Sequence, residues 1–153
     1  MFDALEIKVP PVLLVPLFGT LMWLVSFYSV CTIALPWRTV FALIFCSMGL
    51  VVFLVGVLTF RRAKTTVNAL TPEATTTMVT SGIYRFTRTP MYLGFLLILA
   101  GWAIYLSNLL AFAFLPLFLW YINRFQIVPE ERALDAKFSH AFTVYKSSVR
   151  RWL

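Results

Sequence analysis

Apolar residues run almost unbroken through residues 9–35 and again through 39–60, then yield to polar and basic sequence over 61–90. Two shorter apolar runs follow, 91–107 and 109–122, divided at Asn108. A membrane-spanning helix needs about 20 predominantly apolar residues. The first two runs meet that length, and the last two reach it by borrowing flanking residues. Asn108 suits a tight turn, so the last two runs predict a helical hairpin. Beyond Ile122 the pattern changes. Leu134, Phe138, Phe142, Tyr145 and Val149 recur every three or four positions, which is one apolar stripe on a helix opening near Pro129. Arg132, Asp135, Lys137 and Lys146 fall on its other face. The expected fold is an all-α integral membrane protein in one domain, 1–153. It has about four transmembrane helices, the last two a hairpin, plus a C-terminal amphipathic helix on the cytoplasmic side.

Composition agrees with lipid as the surroundings. The 153 residues are 61% hydrophobic and 12% charged, with a mean hydropathy of +0.86. A soluble domain carries about twice that charged fraction. The net charge of +7 would suit nucleic acid or anionic lipid, and the long apolar runs favour lipid. With four spans, all of the 13 Lys and Arg residues except Arg38 fall on one side, together with both termini. The bias of basic loops toward the cytoplasm places that side inside, and a bacterial inner membrane suits so small a chain. Cys31 and Cys46 sit in apolar runs without metal-ligand spacing, so no metal site is expected. Gly49 and Gly56 share a helix face and predict close helix packing. The stretch 65–82, rich in Thr and interrupted by Pro72, reads as an ordered loop.

Candidate chemistry gathers where the spans meet the basic side. Residues 81–94 read SGIYRFTRTPMYLG, and PEERAL follows at 129–134. Pro90 suits the first turn of the third span, with Thr87 or Thr89 as its cap, and a helix N-terminus favours an anionic ligand group. Arg85 and Arg88 add cationic donors, while Tyr84, Phe86 and Tyr92 add aromatic surface. Glu130 and Glu131 complement a helix start and become functional with a cationic partner, for which Arg124 and Arg88 are in range. His140, the sole histidine, reads as a solvated surface residue. Residues 149–153, VRRWL, read as an interfacial anchor.

Gly82, Tyr84, Arg88, Pro90, Tyr92 and Gly94 resemble the first signature of the isoprenylcysteine carboxyl methyltransferase and phospholipid methyltransferase superfamily. Glu130, Glu131, Leu134, Phe138 and Tyr145 resemble its second, at the expected distance around a hairpin. The resemblance spans about residues 66–153. It departs at Thr89, where the family usually has His, at Ser139 for Gly and at Phe142 for Tyr. The resemblance implies S-adenosylmethionine as cofactor, with Tyr84, Arg88, Thr89, Pro90, Tyr92, Leu93, Gly94, Glu130, Glu131 and Tyr145 binding it. Arg124 and Glu131 are the implied catalytic pair.

The implied reaction is methyl transfer to a lipid or lipidated small-molecule acceptor, on a carboxylate or an amine. Methyl transfer is a direct displacement, for which alignment and desolvation are the main tasks. A carboxylate acceptor needs only a cation such as Arg124 to orient it, whereas an amine must lose a proton, which a glutamate could take. Expected partners are the bilayer and the lipid acceptor, with no nucleic acid and no metal. Two other classes compete: an NADPH-dependent membrane reductase of the sterol-reductase type, and a non-catalytic binding or assembly protein of the same fold. Cofactor binding separates all three.

Overall fold

In the computed structural model, residues 9–62 and 79–153 are described. The expectations resting on residues 1–8 and on the Thr-rich stretch 63–78 lie outside them. Four apolar helices follow in order: α1 (Pro11–Tyr28), α2 (Arg38–Arg62), α3 (Pro90–Leu106) and α4 (Leu109–Ile122), and then the polar helix α5 (Val128–Ser148). No strand occurs among the described residues. By length and composition α1, α2 and the helical run Leu109–Phe138 can each cross a membrane, and α3 is a shorter apolar helix of 17 residues. The run Leu109–Phe138 is apolar as far as Ile122 and carries all of its charged residues from Arg124 on, so α5 lies beyond the span. The outward side chains of α1 and α2, among them Leu13, Leu17, Leu43, Ile44, Leu50 and Leu58, are exposed and apolar, as a lipid-facing surface must be. The protein is an all-helical integral membrane protein.

Lipid tails are as apolar as leucine, so no hydrophobic force pulls spans together and close approach must replace it. Small residues supply that approach between α2 and α3. A Cβ on Gly49 would stand 2.7 Å from the Gly94 carbonyl oxygen, and one on Gly94 would stand 2.7 Å from that of Gly49. Further along, a Cβ on Gly101 would meet Cys46 Sγ at 2.7 Å and the Ala42 carbonyl at 2.9 Å. Gly56 faces Met91 and Pro90 at the start of α3. The packing role expected of Gly49 and Gly56 is the one they have.

On the other side of α3 lies the apolar core. Leu14, Phe18 and Met22 of α1 meet Leu99 and Ala103 of α3 and Ala111, Phe118 and Ile122 of α4. Phe18 sits edge-on to Phe114 and Phe118. The α3–α4 hairpin turns at Ser107, which has a left-handed backbone, and at Asn108, whose side chain caps α4 through the Leu110 N–H. Asn108 also donates to Ser29 Oγ at 2.7 Å, and Ile33 N–H donates to the Ser107 carbonyl at 2.7 Å.

Those last bonds explain one departure from expectation. The apolar run 9–35 is not one helix, because α1 stops at Tyr28. Val30, Thr32 and Ile33 are β-branched, and Pro36 disfavours helical backbone at Leu35. The segment instead pairs its backbone with the hairpin turn, Thr32 against Asn108. A second departure is at Pro129. The chain does not leave α4 and start a fresh helix. It passes through a wide π-turn, Asn123–Ile127, in which Val128 N–H donates to the Asn123 carbonyl. Proline has no N–H and its ring clashes with the carbonyl four residues back, so a widened turn ahead of Pro129 relieves the conflict. Gln126, inside that turn, donates to the Val9 carbonyl at 2.8 Å and ties it to the start of α1.

The glycine contact makes a sharp prediction. Gly94→Val drives a side chain into the Gly49 carbonyl and should destabilise the protein by about 1–3 kcal/mol, the usual range for overpacking. Gly19→Ala meets nothing nearer than Trp102 Nε1 at 4.0 Å and should be neutral or stabilising. Unfolding temperatures in detergent check the contrast; equal losses in the two variants would discount the close approach.

Candidate active site

The site is built at the start of α3, where four segments meet. Gly82 has φ +62, a backbone that glycine adopts freely, and it turns the chain over Thr59 of α2 into a short 3-10 turn, Gly82–Arg85. That turn presents Tyr84, which is buried with Phe60 edge-on at 5.1 Å. Thr87, Arg88 and Thr89 then lead into Pro90, at the first turn of α3 as expected.

The C-terminal segment lies across these residues. Val149 is extended, and Arg88 N–H donates to the Arg150 carbonyl at 3.1 Å. The Thr87 and Thr89 hydroxyls both donate to the Arg151 carbonyl, at 3.0 and 2.6 Å. Trp152 Nε1 donates to Asn123 at 3.3 Å. One expectation is corrected here, and another is refined. Neither Thr87 nor Thr89 caps α3 in the usual way: Thr89 occupies the cap position without a side-chain cap bond, and its hydroxyl is used on the tail. Residues 149–152 are more than an interfacial anchor; they are strapped over the site, because a run of backbone acceptors meets two hydroxyls and an amide.

Two adjacent glutamates of α5 meet different surroundings. Glu131 is held by two arginines, Arg88 Nη1 at 2.8 Å on one oxygen and Arg151 Nη2 at 2.7 Å on the other. Arg151 Nε adds a bond of 3.2 Å. Glu130 takes the Tyr92 hydroxyl at 3.0 Å on Oε2. Loss of hydration raises the Glu130 carboxyl from 4.5 to about 7, and the Glu131 charge pushes the same way, against the Tyr92 bond. Burial likewise raises the Tyr145 hydroxyl to about 12. Tyr145 donates to the Tyr84 carbonyl at 2.6 Å, which pins α5 to the 3-10 turn. Tyr84 is raised as well, first by burial and then by the Glu130 charge. Its hydroxyl and Arg88 Nε are buried without a hydrogen-bond partner among the described residues. Buried polar atoms are nearly always satisfied, so two orphans in one cluster point to a ligand.

Of the expected site residues, Tyr84, Arg88, Tyr92, Glu130, Glu131 and Tyr145 are thus brought together. Thr89 faces the tail. Pro90 and Gly94 are buried toward α2, and Leu93 continues α3 below the cluster. Arg124 lies on the π-turn with its guanidinium over the Phe125 ring, 5.6 Å from the centroid. His140 is exposed. Arg151, Asn123 and Trp152 join the site through tertiary contacts that no sequence motif marks. The Arg150–Arg151 pair beside an aromatic residue was the available signal, and it also describes a membrane anchor.

Comparison with known proteins adds a family. The family model for phospholipid methyltransferases matches residues 37–141. A Haemophilus influenzae protein described as uncharacterized is 48% identical over 63 residues, which is 41% of this chain and the whole of that protein. No solved structure is a significant match.

Charge pairing and the raised Glu130 carboxyl each predict a stability change. Glu131→Ala strands the Arg88 guanidinium, whose side chain is 13% exposed, and should cost about 3–5 kcal/mol. Arg151→Ala should cost less, since Arg151 is 34% exposed. For Glu130 the folded state binds a proton that the unfolded chain has released, so stability falls as pH rises from 4.5 to about 7. Glu130→Gln mimics the protonated form. Its unfolding temperature relative to wild type should rise between pH 5 and pH 8, and an offset independent of pH would contradict the assignment.

Proposed function

Since the chain belongs to the phospholipid methyltransferase family, we propose that it transfers a methyl group from S-adenosylmethionine to a lipid or lipid-linked acceptor at the membrane surface. The observation that carries the reading is the convergence of Tyr84, Arg88, Tyr92, Glu130, Glu131 and Tyr145, with the Tyr84 hydroxyl and Arg88 Nε buried and unpartnered among the described residues. This donor set fits the cofactor. Arg88 spends Nη1 on Glu131 and has Nε left for the carboxylate of an amino acid end. Glu130 suits the cofactor's positive charge, and the Tyr84 ring offers an aromatic face.

When bound, S-adenosylmethionine supplies an electrophilic methyl group. The protein's share is then to orient and to exclude water. The strap of residues 149–152 and the 3-10 turn cover the cluster from two sides. Arg124, on the π-turn at the edge of the span, orients an anionic group of the acceptor. The acceptor's apolar tail has a place to lie. An open-sided groove of about 480 Å³ between α1, α2 and α3, lined by Val15, Trp23, Cys46, Ile98 and Trp102, begins about 12 Å along α3 from Pro90. The basic end of the bundle, where the site lies, would face the cytoplasm.

The two competing classes part at cofactor binding. Calorimetric titration of detergent-purified protein should show saturable binding of S-adenosylmethionine and S-adenosylhomocysteine and no response to NADPH. Arg88→Ala should weaken binding about ten- to a hundredfold, as loss of a charged hydrogen bond does. Tyr84→Phe should weaken it less and leave the unfolding temperature near wild type. A response to NADPH alone would favour the reductase, and none to any cofactor in folded protein would favour a non-catalytic role.

A further inference from the structure

We propose that Arg151, on the C-terminal strap, is a positioning residue for the methyl donor: it takes the forked contact with Glu131 and so leaves Arg88 turned toward the donor's carboxylate. The inference deepens the methyltransferase reading and rests on it.

The argument begins with one carboxylate and two guanidinium groups. Glu131 receives Arg88 Nη1 on Oε1 at 2.8 Å. Arg151 reaches it with two donors, Nη2 on Oε2 at 2.7 Å and Nε on Oε1 at 3.2 Å. A guanidinium has two forked edges, Nε with Nη2 and Nη1 with Nη2, and either one matches a carboxylate. Arg151 presents its Nε edge whole. Arg88 makes a single bond through Nη1, the nitrogen outside its Nε edge. Its Nε is buried without a hydrogen-bond partner among the described residues.

Arg88 and Glu131 alone would divide the donors differently. An arginine beside a lone carboxylate is commonly held by two parallel bonds. With Oε2 unclaimed, the Arg88 guanidinium would turn to cover both oxygens and spend a second donor there. Arg151 removes that option, because it occupies Oε2 and shares Oε1. Charge leads to the same place. Two guanidinium groups share one carboxylate, so the three side chains carry one excess positive charge. A second carboxylate, from the amino acid end of the donor, balances it. Without Arg151 the remaining pair already cancels, and an arriving anion finds little net attraction. Arg88 and Glu131 are largely buried, so water screens this balance weakly.

The strap keeps its place without the Arg151 side chain. Its backbone is held by the Arg88 N–H on the Arg150 carbonyl and by the Thr87 and Thr89 hydroxyls on the Arg151 carbonyl. Trp152 adds its bond to Asn123. Beyond Glu131, the Arg151 guanidinium makes only a long contact of 3.5 Å to Asn123 Oδ1. Truncating the side chain therefore changes the hold on Glu131 and little else.

The test is calorimetry of the detergent-purified full chain with S-adenosylmethionine and with its decarboxylated form, which lacks only the carboxylate. Arg151→Ala should weaken S-adenosylmethionine about tenfold, as loss of a charged hydrogen bond does, and leave the decarboxylated ligand unchanged. A double-mutant cycle gives a second readout. Arg88→Ala with Arg151→Ala should bind S-adenosylmethionine no more weakly than Arg88→Ala alone, because Arg151 acts through Arg88. Should Arg151→Ala fail to fold, Arg151→Gln removes the charge and the fork but keeps a polar end, and the same pattern is expected. Equal weakening of the two ligands assigns Arg151 to the structure of the strap and overturns the inference. A further loss in the Arg88→Ala background also overturns it, since Arg151 would then hold the ligand directly. Wild-type affinity in Arg151→Ala does the same. Each of these leaves the methyltransferase reading standing. No binding of either ligand to folded wild-type protein overturns that reading, and the inference with it.

Discussion

The contact between Gly49 of α2 and Gly94 of α3 is the constraint on which the other parts of the molecule depend. Within a bilayer, two helices stay together through close packing and a few polar ties. The near-contact of backbone at Gly49, Gly94 and Gly101 gives α3 a fixed partner along its length. With α3 fixed, its opposite face can receive α1 and α4 through Phe18, Leu99 and Phe118. Its N-terminus then stands at a set height beside the end of α2, where Thr59 and Phe60 hold the 3-10 turn that carries Tyr84.

The second constraint is the phase of α5. A helix that simply continued α4 would present its acidic pair in another direction. The π-turn at Asn123–Ile127, forced ahead of Pro129, inserts a wide turn and resets which residue faces which neighbour. Glu131 then falls between Arg88 and Arg151, and Glu130 falls on Tyr92. Two identical side chains acquire opposite properties from one helical step. One is a charge held in place by two cations, and the other is a carboxyl that burial raises from 4.5 to about 7.

The strap of residues 149–152 gives the substitution at Thr89 a physical meaning. A histidine there would bring a ring into the space that the Thr87 and Thr89 hydroxyls share with the Arg151 carbonyl. Threonine is short enough to let the tail close down. In exchange, Arg151 reaches Glu131 and supplies a second cation to the cluster.

Much of this was legible in the chain itself. The apolar runs at 9–35, 39–60, 91–107 and 109–122 fixed the number of helices, since lipid leaves the backbone few alternatives. Pro90 marked the start of α3, the spacing of Leu134, Phe138, Phe142 and Tyr145 marked the apolar stripe of α5, buried at Phe142 and Tyr145 and half-buried before them, and the glycines of α2 marked a close contact. Local sequence gave only a partial sign of where α1 would stop: Val30, Thr32, Ile33 and Pro36 weaken the helix, but residues 29–35 are apolar enough to continue and are drawn off by distant partners at Ser107 and Asn108. Nor could it distinguish Glu130 from Glu131, or separate Arg151 from an ordinary membrane anchor. Those assignments depend on which groups meet across gaps of twenty to sixty residues, and on how much water each meeting excludes. Hydropathy and capping are properties of neighbours in sequence; a carboxyl's charge is a property of neighbours in space.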